Sequence, residues 1–309
     1  MSQFLVRVPA SSANLGPGFD ALGLALSVYL TCRFRPGARL AISARGRDCD
    51  TISTGPDNLI WQTAQSVARD HRMQIPPIDL QIDNEIPIGK GLGSSAAALT
   101  AGVVIADVLL DLRWKPLRIL DEAARLEGHP DNVAPCTLGS IVASAIDSGG
   151  AVRAVRLDLP QSFRVAVVVP DFDLPTAKAR TVLPVSYSRQ DAVFNLQRAA
   201  LLIAALATGT TSSFPAALED RFHQPYRAAL VPGLDAILKL RAPGLLGCAL
   251  SGAGPSILVF YERGYESVCG LVAQIFRLHG HQADVLLAQI ADRGFEVTEE
   301  PCEEPPISA

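Results

Sequence analysis

A chain of 309 residues with 49% hydrophobic and 19% charged residues can bury a large core and exceeds what one core usually organises, so two compact domains sharing a cleft are expected. A net charge of −4 excludes the dense basic field of a nucleic-acid or acidic-membrane binder. The six cysteines form no C-x-x-C pair, which fits reduced packing residues better than a disulfide frame or a zinc site.

In chain order, residues 1–12 lack a basic stretch followed by an apolar run, and the apolar run Ala96 to Leu110 is interrupted by Thr100 and Asp107. A soluble, cytoplasmic protein without membrane contact is the expectation. Phe4 to Val8, Leu40 to Ser43 and Leu80 to Asp83 have strand length and turn residues at their ends. Helical spacing appears after Pro56, with Ile60, Ala64 and Val67 on one face, and again over Ala96 to Leu110 and Leu117 to Glu127. Ser148-Gly149-Gly150 and Pro160 interrupt the pattern and suggest domains at 1–155 and 156–309. Strand-like runs resume at Val165 to Val169, Ala249 to Leu250 with Ile257 to Phe260, and Asp284 to Leu287, with helical patterns at Asp191 to Ala207 and Ser267 to Leu278. Both halves mix helices with strands. The acidic, Pro-rich tail after Thr298 is expected to fray.

The segment carrying most chemistry is Ile86-Pro87-Ile88-Gly89-Lys90-Gly91-Leu92-Gly93-Ser94-Ser95-Ala96-Ala97, which opens into a helix. Glycines at alternate positions let the backbone turn tightly and approach a ligand, and Ser94 and Ser95 sit where hydroxyls cap free amides. Amides at the positive end of a helix hold phosphate. The loop departs from the Walker A pattern, because Lys90 is followed by Gly91, and from G-x-G-x-x-G, because Ala96 takes the last position.

Pro87-x-x-x-Gly91-Leu92-Gly93-Ser94-Ser95-Ala96-Ala97 resembles the central signature of the GHMP kinases. Pro9 to Asp20 and Leu250 to Ser256 resemble the signatures at either end of that family, so the likeness spans nearly the whole chain. It implies an α+β, two-domain GHMP kinase fold: an N-terminal domain like domain 2 of ribosomal protein S5, with a left-handed βαβ unit, and a C-terminal ferredoxin-like domain with added helices. It also implies ATP and Mg²⁺ as cofactors, a small-molecule acceptor and a homodimer. By the same resemblance Pro87 to Ala97 hold ATP phosphates, and Asn58 in Asp57-Asn58-Leu59-Ile60 reads adenine. On local grounds Asn58 is equally a helix N-cap.

Glu127-Gly128-His129-Pro130-Asp131-Asn132 resembles the homoserine kinase branch of the family, which implies phosphorylation of the homoserine hydroxyl in threonine biosynthesis. A zwitterionic acceptor requires a carboxylate for its ammonium and an Arg fork for its carboxylate. The resemblance puts Asn14, Asp20, His129, Thr176, Arg180, Arg227 and Gly252 at the acceptor. Ser95 and Glu127 are the expected Mg²⁺ oxygens, with Glu122 as the alternative to Glu127. Asp131 and Asn132 both stand as candidates to handle the hydroxyl, and Lys90 as a charge for the phosphates. Another GHMP kinase, acting on threonine or mevalonate, and a non-catalytic nucleotide-binding relative are the rival readings.

Overall fold

The computed structural model describes residues 3–160 and 162–300. The strands and helices, in chain order, begin with β1 (Gln3–Ala13), β2 (Leu22–Pro36), β3 (Ala41–Gly46), α1 (Leu59–Asp70), β4 (Ile78–Asn84), α2 (Ser94–Leu109), α3 (Pro116–Glu127), α4 (Val133–Leu138), β5 (Ile141–Ile146) and β6 (Val152–Leu157). There follow β7 (Arg164–Pro170), α5 (Thr176–Thr181), α6 (Arg189–Thr208), α7 (Phe214–Ala217), α8 (Gln224–Arg227), α9 (Leu234–Leu238), β8 (Leu245–Leu250), β9 (Ile257–Tyr261), α10 (Val268–Leu278), β10 (Ala283–Leu286) and β11 (Glu296–Glu300).

The first sheet runs β11-β1-β2-β4-β3, with β5 on β2 and β6 on β5. Its centre is β2, where Leu30, Cys32 and Phe34 are buried in alternation with the more exposed Thr31 and Arg33, the period of a strand with one face in the core. β3 and β4 are parallel neighbours joined through α1, the one βαβ unit of this sheet among the described residues. α2 is buried on most sides, from Ala96 and Ala97 to Val103 and Ala106, so its sequence is apolar all round rather than striped.

The second sheet runs β10-β7-β9-β8, antiparallel throughout. Numbered within its own domain this is order 4-1-3-2, with helices in the first and last connections, which is the ferredoxin-like arrangement expected. Both of its faces are covered: Val165, Val167 and Val169 of β7 join the main core with Phe163, Phe214 and Phe260. Ala166 and Val168 point the other way, onto a second core with Val272 and Phe276 of α10. A strand buried on both faces reads as an unbroken apolar run, as Val165 to Val169 does.

Three expectations are corrected here. The split at 155/156 cuts through β6, and the first sheet takes back β11, whose Val297 pairs with Val6, so that sheet is not built from one contiguous stretch. Gly149 and Gly150 belong to the β5–β6 hairpin, where the Asp147 carboxylate accepts from Gly149 N and Ala151 N; they form a turn rather than a domain linker. Glu299 and Glu300 are paired with Phe4 and Gln3 in the sheet, while the tail from 301 on lies outside the described residues. In addition, α6 is long and apolar enough, by length and composition, to cross a membrane, a run passed over in favour of Ala96 to Leu110. In this fold its Leu202, Ala205 and Leu206 are buried.

Candidate active site

Both domains contribute walls to one cleft of about 270 Å³. Six segments meet there: the β1–β2 loop with Asn14 and Asp20, and the β4–α2 loop from Pro87 to Ser95 apart from Lys90. The others are the α3–α4 link with Glu127, His129, Asp131 and Asn132, the entry to α5 with Leu174, Pro175, Thr176 and Arg180, α8 with Arg227, and the β8–β9 hairpin with Gly252 and Ala253.

One end is an anion cradle. Gly89, Gly91 and Gly93 all have left-handed φ, 72°, 77° and 67°, which only glycine adopts without strain. A Cβ on Gly93 would overlap the Ser11 hydroxyl, and one on Gly91 would lie 2.7 Å from Gly254 O and closer still to Ser251 O. Gly93 is the N-cap of α2 and offers no side chain, so the first amides of a 16-residue helix lack a side-chain acceptor and present the positive end of its dipole. Ser94 and Ser95 do not cap the helix as expected: Ser95 Oγ instead donates to Glu127 Oε2 at 3.2 Å. Burial raises the Glu127 pKa, against the opposing charge of His129 and the Ser95 hydrogen bond. A desolvated carboxylate beside a hydroxyl is an oxygen set suited to a hard divalent cation.

The other end is charged in both signs. Asp20 accepts from Arg180 Nη2 at 2.8 Å and Nη1 at 3.3 Å, a two-pronged pair. Asn14 Oδ1 accepts from Asp20 N, and Asn14 Nδ2 donates to Gly252 O. Arg227 is 1% exposed; it donates from Nε to Ala179 O and from Nη1 to Gly252 O and His223 Nδ1. Its Nη2 makes no hydrogen bond among the described residues. Burial and the neighbouring Arg180 charge bring its pKa down to about 10, with Asp20 and Asp220 opposing.

Between the two ends, His129 Nδ1 lies 2.6 Å from Asp131 Oδ1. Ligand atoms of Asp20, His129 and Asp131 lie within 4.8 Å of one another, a cation-attracting corner. Burial works against an imidazolium at His129, but the hydrogen bond and charge of Asp131, with the charge of Glu127, outweigh it and raise the pKa. A raised folded pKa means that the stability this pair adds is complete below the unfolded His value of about 6.5 and disappears as pH rises through the folded value. The Tm gap between wild type and His129→Gln is therefore larger at pH 5.5 than at pH 8.5; equal gaps would show that the imidazolium contributes nothing.

Five expected residues lie elsewhere. Asn58 is 2% exposed and serves as the N-cap of α1: its Oδ1 accepts from Ile60 N and Trp61 N and its Nδ2 donates to Ser53 O, which commits both lone pairs of the oxygen and one of the two Nδ2 protons. Asn58→Ala should cost about 1 kcal/mol of stability, as lost caps do, read as a lower Tm without a selective loss of ATP affinity. Lys90 turns away from the cleft to pair with Asp173 at 2.8 Å. Ala96 and Ala97 are wholly buried behind the first turn of α2. Glu122, the alternative cation ligand, is held by Arg118 and Arg125 on α3, so Glu127 is the one that reaches the cleft.

Sequence reading passed over the residues behind the walls. Ser11 Oγ donates to Asn132 Oδ1 at 2.9 Å, and Ser251 Oγ, with its single proton, lies within hydrogen-bond distance of Ser12 Oγ and Gly91 O. Gly252 N donates to Ala13 O. The three glycine- and serine-rich segments thus lock together through hydroxyls and backbone, a contact no single segment announces.

Comparison with known proteins agrees with this geometry. Residues 58–140 match the GHMP kinases N terminal domain and 202–267 the GHMP kinases C terminal. The chain is 79% identical over 96% of its length to a homoserine kinase of Solibacter usitatus, covering 98% of that protein. It is 47% identical over 84% of its length to one of Deinococcus radiodurans, covering 85% of it. The crystal structure of homoserine kinase from Cytophaga hutchinsonii superposes with a TM-score of 0.82 at 26% identity, over 96% of this chain and 98% of that one. A galactokinase of Lactococcus lactis, at 16% identity and a TM-score of 0.70 over 95% of each chain, shares the fold. With two-domain architecture, cleft and sequence in accord, the chain belongs to the homoserine kinase family of the GHMP kinases.

Proposed function

We propose that the chain transfers the γ-phosphoryl group of ATP to the side-chain hydroxyl of L-homoserine, giving O-phospho-L-homoserine and ADP, a step of threonine biosynthesis. The observation that carries this is the polarity of the cleft: an uncapped helix end with left-handed glycines at one pole, and Asp20, Arg180 and Arg227 at the other. Polyphosphate suits the first pole. A zwitterion suits the second, its ammonium on Asp20 and its carboxylate on Arg180 and the free Nη2 of Arg227. The Asp20–Arg180 pair already matches a cation to an anion, so a zwitterion can replace each partner's contact with one of the same sign.

The acceptor oxygen forms its bond to phosphorus as the bond to the bridging oxygen of ADP breaks, its proton passing to an oxygen of the transferred phosphoryl group and on to solvent, and a loose transition state asks chiefly for alignment and charge neutralisation. We assign alignment to Asn132: Ser11 occupies its Oδ1, which leaves Nδ2 for the acceptor. Asp131, whose Oδ1 is engaged by His129 while Oδ2 is not, is the alternative. The Ser95 hydroxyl and the Glu127 carboxylate would hold Mg²⁺, which supplies charge neutralisation at the phosphates. Lys90 has no part in this reading while it pairs with Asp173. A homodimer rests on family resemblance.

An ADP-release assay with Mg-ATP against homoserine, threonine, serine, mevalonate and galactose tests the substrate. Homoserine should exceed mevalonate and galactose by at least about 10²-fold in kcat/KM, because a site built for an ammonium and a carboxylate leaves buried polar groups unpaired when either is missing; threonine and serine keep both charges and are disfavoured only by where they place the hydroxyl. Preference for mevalonate or galactose would overturn the acceptor and leave the fold assignment standing.

A further inference from the structure

We propose that His223 is a positioning residue for acceptor binding, a neutral imidazole that ties the loop carrying Asn14 and Asp20 to the guanidinium of Arg227. The proposal deepens the reading above and rests on it for the identity of the acceptor.

His223 is 0% exposed. Its Nε2 lies 2.7 Å from Gly16 O and its Nδ1 2.9 Å from Arg227 Nη1. A carbonyl only accepts and a guanidinium only donates, so Nε2 must carry the proton and Nδ1 must be bare. The partners alone therefore fix the tautomer, and a second proton would set N–H against N–H at Arg227.

The groups facing the ring agree. Asp220 Oδ2 is 3.5 Å from Nε2, but the two Asp220 oxygens already accept the amides of Phe222, His223 and Gln224. Phe19 stacks on the imidazole at 5.4 Å between ring centres. Burial, with the Arg227 charge, favours the neutral ring over the pull of Asp220 and Asp20.

The loop needs such a tie. Asn14, Leu15 and Asp20 have φ of 72°, 49° and 55°, left-handed values that strain a side-chain-bearing residue, Leu15 most, since Asn and Asp adopt them more readily. Its carbonyls at Gly16 and Pro17 are held by two buried side chains of the other domain, His223 and Asn195, the latter donating to Pro17 O at 2.7 Å. Of these, only His223 also grips an acceptor-site side chain. It thereby links the carboxylate that would take the ammonium with the Arg fork that would take the carboxylate.

Two measurements on the full-length enzyme test this. The first is imidazole ¹⁵N NMR on His-labelled protein, with the His223 signal identified by its loss in His223→Asn. At neutral pH a neutral Nε2–H tautomer is expected, with an Nδ1 shift that moves in Arg227→Met. An imidazolium, an Nδ1–H tautomer or an Nδ1 indifferent to Arg227 would overturn the relay. The second is a kinetic cycle over wild type, His223→Asn, Arg227→Met and the double variant. Losing one buried hydrogen bond and the loop register should raise the homoserine KM about tenfold, with the ATP KM unchanged and less than about twofold added on top of Arg227→Met. Additive effects, or equal losses for ATP and homoserine, would reduce His223 to a packing residue. Should His223→Asn fail to fold, His223→Gln serves to identify the signal, and the spectra of wild type and Arg227→Met then decide. A wild-type enzyme inactive on homoserine but showing the expected tautomer would remove the substrate assignment and leave the relay in place.

Discussion

Arg227→Lys should lower kcat/KM for homoserine by about 10²- to 10³-fold, corresponding to roughly 3–4 kcal/mol, while ATP affinity stays within about threefold of wild type. The reason is the number of acceptors this buried side chain serves. Nε and Nη1 satisfy Ala179 O, Gly252 O and His223 Nδ1, and Nη2 is left for the ligand. A lysine brings one compact ammonium on a flexible stem and cannot copy this fork. Each buried acceptor left unpaired costs about 1–3 kcal/mol, and an ammonium in the same place is drawn toward its neutral form, since burial already brings the guanidinium to about 10. Steady-state kinetics with homoserine beside calorimetric ATP binding reads both halves of the expectation. An unchanged homoserine KM would take Arg227 out of the acceptor site.

Gly91→Val should reduce nucleotide affinity by at least about 10²-fold and lower the Tm. At φ 77° a side chain costs about 1–2 kcal/mol before any contact is counted, and a β-branched one more. The new Cβ then meets backbone, with Gly254 O at 2.7 Å and Ser251 O closer still. Backbone cannot swing aside as a side-chain end can, so the cradle and the β8–β9 hairpin must separate. That also strains the Ser251 hydrogen bond to Gly91 O. Lys90→Ala is the natural control, because its ammonium faces Asp173 outside the cleft; ATP affinity within about threefold of wild type is expected. Normal nucleotide binding by Gly91→Val would refute the cradle, and a large loss in Lys90→Ala would mean that the lysine swings onto the phosphates.

Much of the cleft was legible because its chemistry is written in short, local signals. Gly89, Gly91 and Gly93 announce left-handed backbone, and Ser94 marks the start of a helix. The run from Glu127 to Asn132 places four cleft-lining side chains in one link between helices. β4, with a clean alternation, and β7, a short unbroken apolar run bounded by turn residues, were equally plain. The 15-residue β2 was missed although Leu30, Cys32 and Phe34 alternate cleanly, because its first half, Leu22 to Leu26, is buried on both faces and hides the period.

Chain sequence by itself thus determined the family, the fold class, the glycine loop and the identity of most residues lining the cleft, since each rests on residue type and short spacing. Tertiary structure alone decided which polar atoms remain free. Asn58 and Lys90 carry the right chemistry but spend it on the α1 cap and on Asp173. Glu122 is held by two arginines, and His223 gains its meaning only from Gly16 and Arg227, partners 207 and 4 residues away. The physical reason is that a hydrogen bond satisfies a donor or acceptor once. Which partner takes it depends on distances between segments far apart in the chain, and the return of β11 to pair with β1 depends on the same long-range closure.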